Sequence, residues 1–201
     1  MMSLILYMMI MNAELQAVEK AHIVWMCHLD VGYTNSVASV VNTYFHDYFP
    51  KAIKTANLVN KPGQPPVFKF TTHAWLLDMF FDCPHRFGTN CSFAPDSFSS
   101  TPDYNIGCIL CPNATLINQV QHAIDNDIIT WHAFPFNAEA ELGTSALIAE
   151  GFKSVHRLDD RFGKPHKKVM SQRDVPGTSW FSISLSLHAC PQLAFSHHHS
   201  L

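Results

Sequence analysis

Ile23-Val24-Trp25-Met26-Cys27-His28-Leu29-Asp30-Val31-Gly32-Tyr33-Thr34-Asn35 is the stretch whose reading decides the fold. Its apolar start, Ile23 to Cys27, predicts a buried strand. Period-two backbone geometry then throws the His28 imidazole and the Asp30 carboxylate onto one face. Gly32 permits a sharp turn, and Thr34 or Asn35 is suited to cap a following helix. Taken alone, such a pair is either half of a metal site or a core histidine beside a turn aspartate. The rest of the chain has to decide between them.

Working outward, Val37, Val41, Tyr44 and Tyr48 keep helical spacing, and Pro50 is expected to break or restart that helix before the turn at Lys61-Pro62-Gly63. Three more buried strands are expected: Val67 to Thr72, Ile128 to Trp131 and Lys168 to Ser171. Ala74 to Phe81 reads as a short apolar helix. Asn113 is placed to cap a helix bearing Leu116, Val120 and Ile124. Asn137 is expected to cap the next one, with Glu139 and Glu141 near its positive end and Ile148, Phe152, Val155 and Phe162 along one face.

Strands alternating with helices predict an α/β fold with a parallel sheet, either doubly wound or closed as a (β/α) barrel. All four strands end in reactive or aromatic residues: His28 and Asp30, His73 and Trp75, Trp131 and His132, and Gln172-Arg173-Asp174. In a barrel such ends converge on one rim. No G-x-G-x-x-G or G-x-x-x-x-G-K-[ST] loop occurs, which disfavours a nucleotide-binding doubly wound sheet. The expectation is therefore a partial (β/α) barrel with parallel strands.

Composition bounds the function. The chain has 201 residues, 47% of them hydrophobic, with 13 Lys+Arg against 16 Asp+Glu and a net charge of −3. That is enough to bury a core, and without a basic run it argues against nucleic acid as a partner. Met1 to Met11 is apolar but too short to span a bilayer, and it lacks the basic start of a secretory signal. Residues 1–20 thus read as an apolar leader and lead-in, a weak secretory signal or an artefactual start, and leave the compartment open. Residues 82–112 read as an insertion outside the strand and helix layers. Among its cysteines, Cys83, Cys91, Cys108 and Cys111, the Cys-x-x-Cys pair is compatible with a zinc knuckle or a redox pair, but the irregular spacing fits disulfides or idle thiols better. Asn90-Cys91-Ser92 and Asn113-Ala114-Thr115 are glycosylation sequons, which matter only in a secreted chain. Residues 181–201 read as a tail foreign to the fold or, over Phe181 to Leu187, as an edge strand.

His28-Leu29-Asp30-Val31-Gly32 resembles the first zinc motif of the α-mannosidase-type glycoside hydrolases, family 38. Met170-Ser171-Gln172-Arg173-Asp174-Val175-Pro176-Gly177 resembles that family's second motif, Gln-x-Asp before a proline and a glycine. The resemblance runs from about His22 to Ser179. It is closest to a divergent branch that also carries Thr-Trp-His-Ala-Phe-Pro-Phe-Asn-Ala-Glu, here Thr130 to Glu139, and Leu-Asp-Asp-Arg-Phe-Gly, here Leu158 to Gly163.

The resemblance implies a retaining, zinc-dependent glycosidase acting on a carbohydrate. His28, Asp30 and Asp174 would hold Zn2+, Asp174 would also be the nucleophile, and Trp131, His132, His73 and Trp75 would lie near the sugar. Tyr33 replaces the family's usual tryptophan, and Val175-Pro176 replaces its Pro-Phe, which leaves sugar preference open. About four of the family's seven βα units are expected within residues 21–180. The general acid and one further zinc-ligating histidine are expected outside this sequence, so the chain alone is expected to be inactive and prone to self-association. Two alternatives belong to other classes: a catalytically dead carbohydrate- or metal-binding fragment, and another metal-dependent barrel hydrolase of amidohydrolase or deacetylase type. The last would carry His-x-His on the first strand, where this chain has His-x-Asp.

Overall fold

A computed structural model of the chain describes residues 29–33, 35–83, 109–139, 142–173, 179 and 194–198. The expected strand Ile23 to Cys27, residues His28 and Asp174, the leader, most of the insertion and the stretch Phe181 to Leu187 all lie outside the described residues.

In chain order the elements are α1 (Val37–Thr43), a π-helical turn (Tyr44–Tyr48), α2 (Phe49–Val59), β1 (Phe70–Thr72), α3 (Ala74–Phe81), α4 (Ala114–Asp125), β2 (Ile129–Trp131), α5 (Ser145–Arg161), β3 (Val169–Arg173) and β4 (Ala194–His198). β1 pairs with β2 and β3 with β4, both parallel. The Ala133 N–H, just beyond β2, donates to Val169 O at the start of β3 at 2.8 Å, which ties the two pairs together. Helices alternating with parallel strands make this an α/β arrangement.

Pro50 restarts the helix, as expected. It sits at the start of α2, where the chain continues through a π turn in which the Phe49 N–H donates to Tyr44 O. Proline removes the donor that the carbonyl four residues earlier would use and crowds that carbonyl, and widening the preceding turn relieves both problems. Ser36 caps α1 by accepting from Ser39 N. Thr34 and Asn35 were the expected caps.

The second expected strand begins three residues late. The Asn60 side chain takes the Val67 and Phe68 N–H groups on its Oδ1 and gives its Nδ2–H to Phe68 O. A side chain therefore satisfies the backbone that a neighbouring strand would have paired, and Val67 is left 80% exposed.

Asn113 caps α4 as expected, its Oδ1 accepting from Leu116 N at 2.9 Å. The cap of α5 is Thr144, which accepts from Leu147 N, and not Asn137. Glu139 thus lies outside the first turn of α5 and does not complement its dipole. Ile148, Phe152 and Val155 are buried along the expected face of α5.

The larger core cluster joins Val41, Tyr44, Phe45 and Phe49 to Leu76, Leu77 and Phe80 of α3 and to Val120 and Ile124 of α4. A smaller one gathers Ala133, Phe134, Ile148, Phe152 and Met170. Gly151 allows that second contact, because a Cβ there would stand 3.2 Å from Phe134 Cε2.

Cys83 and Cys111 form a disulfide, so the two ends of the insertion are clamped together and Cys111 is not part of a zinc knuckle. The far end is also held by Asn42, whose Oδ1 accepts from Leu110 N at 2.7 Å. β4 falls within residues 181–201, later than the alternation at Phe181 to Leu187 suggested. Its register runs Val169↔Ala194 to Arg173↔His198.

Candidate functional site

Thr72 and Trp131 are the last register partners of β1 and β2, so the next residues, His73 and His132, emerge side by side. Their rings meet edge to face with centroids 4.8 Å apart, and His132 Nε2 lies 2.9 Å from His73 Nδ1. The proton positions follow from one backbone donor. The Phe134 N–H points at His132 Nδ1 at 3.4 Å, a long bond that requires Nδ1 to be the acceptor. His132 then carries its proton on Nε2 and donates to His73 Nδ1, which leaves the His73 proton on Nε2. Both rings are buried, and burial lowers the His132 pKa to about 4. At neutral pH His132 is an uncharged imidazole.

The loop that begins at His132 reaches β3. Gln172 Oε1 accepts from Ala138 N at 3.1 Å, and the Gln172 side chain is buried. Its Nε2 is buried too and has no hydrogen-bond partner among the described residues. Sequence reasoning used Gln172 only as part of a motif. Its position two residues before Asp174 was the available signal.

Trp131, expected beside a sugar subsite, faces the helix layer instead. Its Nε1–H donates to Asp159 Oδ1 at 2.7 Å, Phe162 packs against it and the Lys167 ammonium stands 4.4 Å above its ring. Only 3% of Trp131 is exposed, so its indole is not available to a ligand. Asp159 was overlooked as more than part of a phrase, although an aspartate four residues after buried Val155 belongs to the inward face of α5.

Trp75 is partly buried at the start of α3, where its N–H donates to Pro135 O at 3.1 Å. With Phe134, Phe136, Leu147 and Asp78 it lines a cleft of about 390 Å3. Burial, and then the nearby Asp82 charge, raises the Asp78 pKa above the usual carboxylate range. Asp30 lies elsewhere, in a smaller cleft with Ser39, Tyr44 and Tyr48. Of the three expected zinc ligands it is the one described, and no cluster of three or more His, Cys, Asp or Glu side chains able to hold a metal ion occurs among the described residues. Chemically, one imidazole and two carboxylates are a donor set that zinc accepts.

Comparison with protein-family models, with curated proteins and with solved structures gave no match to this chain.

Proposed function

We propose that the chain carries part of a (β/α) barrel of a zinc-dependent, retaining glycoside hydrolase of the α-mannosidase type. The observation that carries this reading is the gathering of polar side chains at successive parallel strand ends: His73 after β1, His132 after β2 and Gln172 near the end of β3. A (β/α) barrel builds its site at such ends.

On this reading His28, Asp30 and Asp174 would hold the ion, which would supply Lewis-acid polarisation of the sugar's hydroxyls. The Asp174 carboxylate would attack the anomeric carbon to form a glycosyl ester as the bond to the leaving oxygen breaks, and that oxygen would take its proton from a general acid for which no residue of this chain is assigned. The buried Gln172 amide stands two residues before that carboxylate in the chain. His73 and His132, bonded to each other and buried, would stand behind the sugar subsite. Trp75, at the cleft, is the remaining aromatic candidate for contact with a pyranose face.

Zinc content of the full chain after dialysis against zinc tests the reading. One tightly held ion per chain is expected, lost in His28→Ala, Asp30→Asn and Asp174→Asn while the helical circular dichroism persists. Zinc content that is the same in all three variants would remove the basis for the proposal.

A further inference from the structure

We propose that Asn113 is an acceptor for an N-linked glycan. Asn113-Ala114-Thr115 satisfies the acceptor pattern, and both Asn113 and Thr115 are exposed. A sequon alone is weak evidence, because the pattern is short, but two structural observations strengthen this one.

The first is how the Asn113 amide is used. Its Oδ1 caps α4 by accepting from Leu116 N at 2.9 Å. Its Nδ2, the atom that takes the sugar, has no hydrogen-bond partner among the described residues. Transfer replaces one Nδ2–H bond by a bond from Nδ2 to the anomeric carbon of a lipid-diphosphate-linked oligosaccharide. The carbon–oxygen bond to the diphosphate breaks, and the displaced proton neutralises the leaving diphosphate. The amide oxygen is untouched, so the cap survives and the glycan does not compete with the helix.

The second is the disulfide two residues upstream. Cys83 and Cys111 are bonded, and structural disulfides persist in oxidising compartments such as the endoplasmic reticulum lumen, where glycan transfer to asparagine also occurs. The sequon therefore stands beside a disulfide that fits that compartment. Asn90, the other sequon asparagine, lies outside the described residues.

The test is to express the full chain behind a cleavable signal sequence in cultured eukaryotic cells and to map peptides from both the medium and the cell-retained fraction. The peptide containing Asn113 should carry a glycan that peptide N-glycosidase removes, leaving aspartate at the site. Thr115→Ser should keep it. Thr115→Ala and Asn113→Asp should abolish it, and the second still offers a carboxylate oxygen to cap α4, so loss of the glycan there is not loss of fold. An unmodified Asn113 in chains whose Cys83–Cys111 bond is confirmed, from either fraction, would overturn the proposal. So would occupancy that persists in Thr115→Ala.

Discussion

Trp131 and Asp159 hold β2 to α5 through one short bond, Nε1–H to Oδ1 at 2.7 Å, and the second oxygen of the same carboxylate accepts the Lys167 N–H at 3.0 Å on the approach to β3. One buried side chain thus joins a strand, a helix and the entry to the next strand. Burial raises the Asp159 pKa, while its bonds to the Lys167 N–H and the Trp131 indole oppose that rise.

Replacing Asp159 with alanine should therefore destabilise the fold by about 2–4 kcal/mol, because the Trp131 N–H is left buried without an acceptor. Asp159→Asn should cost less, since an amide oxygen can still face Trp131 while the amide nitrogen opposes the Lys167 donor. Urea unfolding of both variants checks this, and equal loss in the two would refute the division of labour between the oxygens.

Stability should fall on acidification because of His132. Its folded pKa is lowered to about 4 by burial, so the unfolded chain takes up a proton first as the pH drops. Its contribution is present above the ordinary histidine pKa and is lost as the pH falls through the folded value, a change on the order of 3 kcal/mol. Denaturation midpoints measured between pH 7 and pH 4 should decline less steeply in His132→Gln than in the parent chain.

Breaking the disulfide should cost about 2–4 kcal/mol, since Cys83 and Cys111 are 28 residues apart and closing that loop restricts the unfolded chain. Paired serine substitutions should lower the unfolding midpoint, and reducing agent should then have no further effect. Continued sensitivity to reductant would point to a second bridge.

Gly163 follows the last turn of α5 with φ +58°, its N–H donating to Asp160 O. A Cβ meets nothing there, so Gly163→Ala isolates backbone conformation from packing. A loss of about 1 kcal/mol is expected. No loss would mean that the turn relaxes to negative φ.

Much of this was legible where the signal is local. The Asn113 cap, the Ala74–Phe81 helix and the strands around Ile129–Trp131 and Val169–Arg173 follow from capping chemistry and short-range periodicity. What failed depended on side chains arriving from a distance. Nothing near Val67 announces that Asn60 will take its N–H, and nothing near Asn137 shows that the Ala138 N–H goes to Gln172, leaving Thr144 to start α5. Trp131 misled for the same reason: its partner, Asp159, lies 28 residues away. That His73 and His132 follow two strands was legible, while the pairing of those strands and the contact between the rings needed coordinates, and His28 and Asp174 lie outside the described residues.

The π turn before Pro50 sets the angular phase of everything that follows it. A wider turn takes in one more residue than an α turn, so α2 starts rotated relative to a straight continuation of α1. That rotation lets Val41 before the turn, Tyr44 and Phe45 within it, and Phe49 and Ala52 after it all face the same core. Deleting a single residue between Tyr44 and Tyr48 would let the wide turn close to an α turn while Phe49 and Ala52 keep their side of the helix, so it should disturb the packing on Phe80 less than a deletion inside α2.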